Sequence, residues 1–143
     1  MFIYFFIMIK QSEILLPAFP KGFHIITGLI ADVAGDLPEA GLINVFIHHT
    51  SAGICINENA DPTVREDFET VFNRMVPENH HLYVHDCEGT DDMPAHIKSS
   101  LAGQSITIPV TGKCIKLGTW QGIYLCEFRK RGGRRKITIT VWS

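Results

Sequence analysis

Apolar and polar residues follow one another along this chain in patterns that predict most of its strands. Near the C-terminus, four segments rich in β-branched and aromatic residues are separated by glycine turns: "SITIPV", "CIKL", "GIYLCEF" and "RKITITVW". "LINVFIHHT" and "HHLYVHD" have the same character and predict two earlier strands. The opening "MFIYFFIMI" is continuously apolar and predicts a buried first strand, with a mis-assigned start codon upstream of Met8 as the alternative.

Helical spacing is clearest after Asp61, which can cap a helix, and Pro62, which suits a first turn. The apolar face of this predicted helix, which Pro77 ends, comprises Val64, Phe68, Val71, Phe72 and Met75. Spacings of three and four also predict short helices in "GFHIITGLIADV" and in "DMPAHIKSSLAG". The apolar stripe of the latter, which we expect to face the core, is Met93, Ile97 and Leu101.

The order of these elements predicts an α+β fold. Helices alternate with strands at first, and hairpin-length turns join the later strands, so we expect a largely antiparallel sheet or sandwich with about three short helices. The 143 residues, 45% hydrophobic and 20% charged, suit a single domain over residues 1–143 with an apolar extension at 1–9. Several apolar runs alternate little, so both faces of those strands should be buried, the surplus face by other copies of the chain.

The net charge indicates the class of partner, and the cysteine spacing indicates the redox state and compartment. A net charge of −2 gives no general attraction to nucleic acid or to an anionic membrane, so we expect a small-molecule partner. The four cysteines contain no CxxC pair, which indicates reduced packing thiols and a cytoplasmic protein. The apolar start is shorter than the roughly 20 residues that span a bilayer and lacks the flanks of a signal peptide.

Candidate chemistry is concentrated where a predicted strand meets the capped helix, in "HHTSAGICINENADPTVRE". Strand side chains alternate, so if Val45 and Ile47 point inward then His49 does too. The same face would continue through Ser51 and Cys55 to Asn57, giving a line of polar groups that ends at Glu58, Asn59 and the capping residue Asp61. Each would cost roughly 1 to 3 kcal/mol if buried unpaired, so a ligand, water or a purely structural network must satisfy them.

A second polar segment, "YVHDCEGTDDMPAHIKSS", leads into the last predicted helix. Imidazoles and carboxylates are suitable ligands for a divalent ion, Mg²⁺ or Zn²⁺, and a helix N-terminus can hold phosphate oxygens. The metal ligands predicted from these two segments are His49, His96, Asp86 and Asp92. The side chains expected to meet phosphate are Ser51, Lys98, Ser99 and Ser100. Acidic loops are often simply solvated, so the alternative for this segment is a solvated loop that binds no ligand.

The third segment, "GTWQGIYLCEFRKRGGRR", combines a turn glutamine, a carboxylate and an arginine cluster. Gln121 lies in a glycine-bounded turn, and Glu127 shares a strand face with aliphatic residues, where a carboxylate needs a cation, a metal or a proton. Arg134 and Arg135 flank a predicted hairpin and suit bidentate phosphate contacts. A solvated turn explains the arginine cluster as well.

Together, "HHTSAGICINENADPTVREDF", "DDMPAHIKSSLAG", "TIPVTGKCIKLGTWQGIYLCEFR" and "GGRRKITITV" resemble the YjbQ-like proteins, sometimes described as secondary thiamine-phosphate synthases. The resemblance runs from about Gly22 to the C-terminus and does not cover the apolar start. It implies an α+β protomer assembled as a homotrimer, with sites near the subunit contacts. The recurrent polar positions that it implies are His49, Asn57, Glu58, Asp61, Asp92, His96, Gln121 and Glu127.

The leading hypothesis is a cytoplasmic enzyme that joins a pyrimidine-methyl pyrophosphate to a thiazole phosphate and releases pyrophosphate, which the resemblance implies. A metal ion and cationic groups on the leaving pyrophosphate, with two rings held close by groups such as Gln121, could supply much of the rate. The alternatives are a non-catalytic protein that binds a phosphorylated metabolite and a metal-dependent hydrolase. We also predict that His49 and His96 share one polar pocket, which Glu127 joins or supports.

Overall fold

The computed structural model describes residues 8–143, in which eight strands and three helices are present. The strands are β1 (Ile9–Leu15), β2 (Gly22–Ile25), β3 (Ala40–Ile47), β4 (Ala52–Glu58), β5 (Ser105–Thr111), β6 (Cys114–Ile115), β7 (Gln121–Glu127) and β8 (Lys136–Trp142). The helices are α1 (Thr27–Ala34), α2 (Pro62–Met75) and α3 (Asp92–Ala102). The predicted first strand falls mainly on residues 1–7, outside the described part of the chain.

Two antiparallel sheets form the body of the domain, which confirms the predicted α+β class. One sheet has the strand order β1-β8-β3-β5-β6 and the other has the order β2-β7-β4. The main core lies between their facing sides and is closed by α1, with aliphatic side chains such as Ile43, Ile54, Ile123 and Ile139 at most 1% exposed. Alternation places these residues on one face of each strand.

The three-stranded sheet is buried on both faces, because α2 and α3 cover its outer side. β7 is buried from Gly122 to Glu127, as its continuous apolar run predicts. Phe23 and Tyr124 meet Phe68 and Phe72 of α2 in an aromatic cluster on that side. The surplus apolar face of β7 is therefore covered by helices of the same chain, where we expected other copies.

Helix α2 begins and ends where the sequence predicts. The Asp61 carboxylate accepts the backbone N–H of Thr63 at 2.9 Å, Pro62 occupies the first turn, and the helix ends before Pro77. Its predicted apolar face is only partly correct. Val71 and Met75 are 49% and 64% exposed, because α2 contacts the aromatic cluster through Phe68 and Phe72 instead.

Two local predictions are wrong. Residues 22–25 form β2, which pairs with β7, and the helix begins only at Thr27. Residues 80–86 form a turn at His81 and Leu82 followed by irregular backbone and not a strand, and Leu82 and Val84 are 71% and 96% exposed. Their alternating apolar residues have no ladder partner among residues 8–143, so the pattern cannot produce a strand there.

Helix α3 packs on β4 with a polar and small-residue face, contrary to the predicted stripe. Its buried side chains are Asp92, Pro94, Ala95, Lys98 and Ser99, whereas Leu101 is 58% exposed. The helix approaches the strand so closely that a Cβ on Gly53 would lie 2.8 Å from the Ala102 side chain. Only small residues permit that approach. Within residues 8–143, no helix has the length and apolar character needed to cross a membrane.

Candidate functional site

Three side chains converge where α3 begins. His85 Nε2 lies 2.8 Å from Asp92 Oδ2, and His96 Nε2 lies 3.3 Å from the same oxygen. Asp92 and His96 are one helical turn apart, so they share a face, and His85 comes from the preceding loop. The three ligand atoms lie within 4.8 Å of one another, close enough for one metal ion with bonds of about 2.0 to 2.2 Å after small adjustments.

The hydrogen bonds of His96 orient a lone pair toward this cluster. Its Nδ1 lies 3.0 Å from the backbone carbonyl of Thr50, which can only accept, so Nδ1 carries the proton. Nε2 of the neutral ring then presents its lone pair to Asp92 Oδ2, which is itself an acceptor when ionised. The arrangement therefore favours a cation between them, either a proton or a metal ion.

Asp92 is held from its other side by Arg129. The carboxylate is 2% exposed, and its Oδ1 accepts a hydrogen bond from Arg129 Nη1. Arg129 also donates to Asp91 Oδ2 at 3.2 Å and to the carbonyl of Glu88 at 2.8 Å. Burial alone would raise the pKa of Asp91, but the backbone N–H of Lys130 and the charge of Arg129 hold that pKa below its usual value.

His49 continues the buried face of β3, as alternation predicts, but it lies outside the three-residue cluster. Its Nε2 accepts the backbone N–H of Lys136 at 2.9 Å, and its Nδ1 lies 3.3 Å from Arg135 Nη1. Burial, reinforced by the charge of Arg135, lowers the pKa of His49 below its ordinary value and favours the neutral ring. The lone pair of that ring is occupied by Lys136, so in this arrangement it is not offered to a metal.

Glu127 has the cationic partner that a carboxylate on an apolar face requires. It is fully buried, and Arg135 donates to its two oxygens from Nε and Nη2, each at 2.6 Å. Arg135 Nη2 also contacts Ser51 Oγ at 3.2 Å, and the backbone N–H of Arg129 donates to Glu127 at 3.0 Å. The donors of Arg135 are thus engaged within the chain, where a phosphate clamp had been predicted.

The other side chains expected to meet phosphate also donate to partners in the chain. Arg134 contacts the carbonyls of Leu15 and Leu16. Ser99 and Ser100 donate to the carbonyls of Thr50 and His96. Lys98 is 1% exposed and donates to Asn73 Oδ1 at 2.7 Å, and burial lowers its pKa to about 8. These contacts form no open anion clamp in the protomer.

The remaining predicted catalytic residues lie at the far end of β4 and β7. Glu58 pairs with Gln121 across the two strands, whereas Ala52 pairs with Glu127 at the other end. Gln121 and Glu127 are six steps apart along an extended strand, a distance of about 20 Å. Asn57 and the capping residue Asp61 are on the Glu58 side, so the predicted catalytic set is divided into two groups within one protomer.

A cavity of about 220 Å³ adjoins the three-residue cluster. His85 belongs to both, and the other walls include His80, Tyr83, Thr90 and Met93. Asp86, predicted as a metal ligand, lines this cavity and lies outside the cluster of ligand atoms. His85 and Arg129 lie in the second and third polar segments, but the predicted metal ligands and phosphate contacts did not include them.

Comparison with known proteins agrees with the sequence resemblance. A family model described as UPF0047 protein YjbQ-like matches residues 13–143. The chain is 51% identical over 133 residues to UPF0047 protein YjbQ of Salmonella typhimurium, covering 92% of this chain and 96% of that one. A solved YjbQ/UPF0047 structure from Clostridium acetobutylicum is 36% identical with a TM-score of 0.75, covering 92% and 98%. A YbjQ-like protein of unknown function from Sulfolobus solfataricus shares the fold, with a TM-score of 0.84 at 21% identity and coverage of 96% and 99%.

Proposed function

Since the chain belongs to the UPF0047 protein YjbQ-like family, its site can be interpreted on a fold common to that family, and we propose that it is a metal-dependent enzyme. His85, Asp92 and His96 would bind one divalent ion, and the adjoining cavity would receive a small anionic metabolite. The observation that carries the proposal is the His96 lone pair directed at the Asp92 carboxylate, with the His85 imidazole on the same oxygen. Two imidazoles and one carboxylate suit Zn²⁺ or another transition metal better than Mg²⁺.

The residues of this chain would hold and orient the ion. Thr50 fixes the tautomer of His96, and Arg129 takes up the second oxygen of Asp92, as outer partners of metal ligands commonly do. A bound ion would supply Lewis acidity or an activated water at the edge of the cavity. The first reaction to assay is the joining of a pyrimidine-methyl pyrophosphate to a thiazole phosphate, because stabilisation of a leaving pyrophosphate is within the capacity of such an ion.

We also propose that the protein acts as a homotrimer. Within one protomer, the groups around Gln121 and around Glu127 are about 20 Å apart, so one protomer does not bring the two groups together. A subunit contact that placed the Glu58 end of one copy beside the α3 end of another would unite them. The family resemblance implies the trimer, and a site completed between two copies would explain why the two groups are separated in each protomer.

Metal titration tests the enzyme proposal directly. Calorimetric titration with Zn²⁺ and Mn²⁺ should show one site per chain, and His96→Gln should reduce the affinity by 10-fold or more because a ligand is lost. His48→Gln is the matched control, since His48 is exposed and contacts Thr138 on the opposite sheet face. Absence of stoichiometric binding to the wild type would reject the metal site.

Turnover separates the alternatives. Release of pyrophosphate in the coupling assay, lost in His96→Gln with the fold retained, supports the synthase reaction. Metal-dependent phosphate release from simple esters supports the hydrolase. Metal binding with a retained metabolite and no turnover would support the non-catalytic binding protein instead.

A further inference from the structure

The fully buried ion pair of Glu127 and Arg135 has no part in the ligand set, yet it is connected to that set by hydrogen bonds. We propose that it is a positioning device: it holds the backbone of residues 49–51 so that the Thr50 carbonyl fixes the tautomer of the metal ligand His96. This inference rests on the proposed metal site, although its central claim concerns the metal-free protein.

The first part of the argument is the anchoring of residues 48–51 to the start of β8. The His48 N–H donates to the Lys136 carbonyl at 3.1 Å, and the Lys136 N–H donates to His49 Nε2 at 2.9 Å. Arg135 Nη2 contacts Ser51 Oγ at 3.2 Å. Contacts on both sides of Thr50 therefore restrict the direction of its carbonyl.

The second part is the rigidity of Arg135 itself. Its guanidinium is bound by both oxygens of Glu127, and both residues are at most 4% exposed. Bidentate pairing fixes the plane of the guanidinium as well as its position. The segment between β7 and β8 crosses from one sheet to the other and does not form the predicted hairpin. It closes tightly over the pair, because a side chain at Gly132 would overlap the Glu127 carboxylate.

The third part of the argument is the pair of hydrogen bonds that the Thr50 carbonyl accepts from α3. Thr50 oxygen accepts from His96 Nδ1 at 3.0 Å and from Ser99 Oγ at 2.6 Å, two groups of α3. The first bond leaves the lone pair of His96 on Nε2, where Asp92 and His85 meet it. Loss of the carbonyl direction would allow the other tautomer, with a proton in the place of the metal.

Arg135→Lys tests this chain of contacts, because it keeps the charge and removes the fork. In the metal-free protein at pH 8, long-range ¹H–¹⁵N correlation spectra should show His96 protonated on Nδ1 in the wild type. The variant should show a substantial fraction protonated on Nε2, and its Zn²⁺ affinity should fall by about 10- to 100-fold, the usual effect of losing an outer partner of a metal ligand. Arg134→Lys, one residue earlier and bound to Leu15 and Leu16 carbonyls, is the control and should leave both measurements unchanged.

Ser51→Ala provides a milder second variant for the case in which Arg135→Lys does not fold. It removes the contact at 3.2 Å without disturbing the ion pair, and it should change the His96 nitrogen shifts in the same direction. Wild-type His96 shifts and Zn²⁺ affinity in the folded variants would overturn the inference. A tautomer change in a protein that binds no Zn²⁺ would uphold the positioning role and reject the proposed metal site.

Discussion

The buried amine of Lys98 should make the protein more stable at alkaline pH. Lys98 is 1% exposed, and the contact found for its ammonium group is a neutral amide oxygen of Asn73 at 2.7 Å. Burial disfavours the charged form and lowers the pKa from an ordinary 10.5 to about 8. Lys98→Met replaces the amine with an apolar side chain of similar length and removes this titration.

The size of the effect follows from the pKa values. Below pH 8 the amine is protonated in the folded and unfolded states, so the folded state carries the full cost of burying the charge. Above pH 10.5 it is neutral in both, and the cost is absent. The fall from 10.5 to about 8 corresponds to about 3 kcal/mol at about 1.4 kcal/mol per pKa unit, of which about 2 kcal/mol or slightly more is relieved between pH 7 and 10.

The assay is urea unfolding of wild type and Lys98→Met at several pH values from 7 to 10. The free energy of unfolding of the wild type, relative to the variant, should rise over this range by that amount. The lost bond to Asn73 is constant and cancels from the change with pH. Lys116→Met, at an exposed lysine, should show no such rise. A wild-type minus Lys98→Met difference that stays flat with pH would refute the explanation.

The remaining predictions concern packing, capping, assembly and thiols. Gly132→Ala should lose about 1 to 3 kcal/mol because the methyl group meets the Glu127 carboxylate, whereas Gly28→Ala, with nothing within 4 Å in α1, should gain up to about 1 kcal/mol; thermal unfolding measures both. Asp61→Ala should cost about 1 kcal/mol in urea unfolding through loss of the cap of α2, and an unchanged midpoint would contradict it. Light scattering at micromolar concentration should give the mass of a trimer, and a monomer would defeat the proposed assembly. Mild reduction should leave that mass unchanged, since the four cysteines of residues 8–143 are free thiols.

The sequence predicted the elements whose signals are local. Asp61, Pro62 and Pro77 delimit α2 because capping and proline effects depend on a few neighbouring residues. Alternation predicted the inward position of His49. In contrast, Phe23 lies in a strand because β7 offers a pairing edge, and that edge is far away in the chain. The spacing of Phe23 and Ile26 fits either structure, so pattern alone could not decide.

The sequence predicted many of the residues that form the candidate site, but only some of the contacts between them. The need of Glu127 for a cation followed from burial, but its pairing with Arg135 depends on the path of the loop between β7 and β8, which crosses between the two sheets and which Gly132 permits. His85 lay in the second polar segment but was left out of the predicted ligands, and the residues around it were wrongly predicted as a strand. The face of α3 was misjudged because the helix packs through small residues against Gly53, and close approach of backbones leaves no hydrophobic pattern.

The place of β8 in the larger sheet has a consequence for synthesis. β8, the last strand of the chain, lies between β1 and β3, so residues 9–15 pair with 136–142. An emerging chain must keep the facing edges of β1 and β3 unpaired until β8 has been synthesised and released. Such long-range closure is slow compared with helix formation, so the nascent protein exposes open strand edges until β8 is in place. Deleting β8 alone would then separate β1 from the rest of its sheet, whereas linking Ser143 directly to Met8, whose backbones are hydrogen-bonded to each other, and opening a surface loop would let β8 and β1 fold as neighbours in sequence.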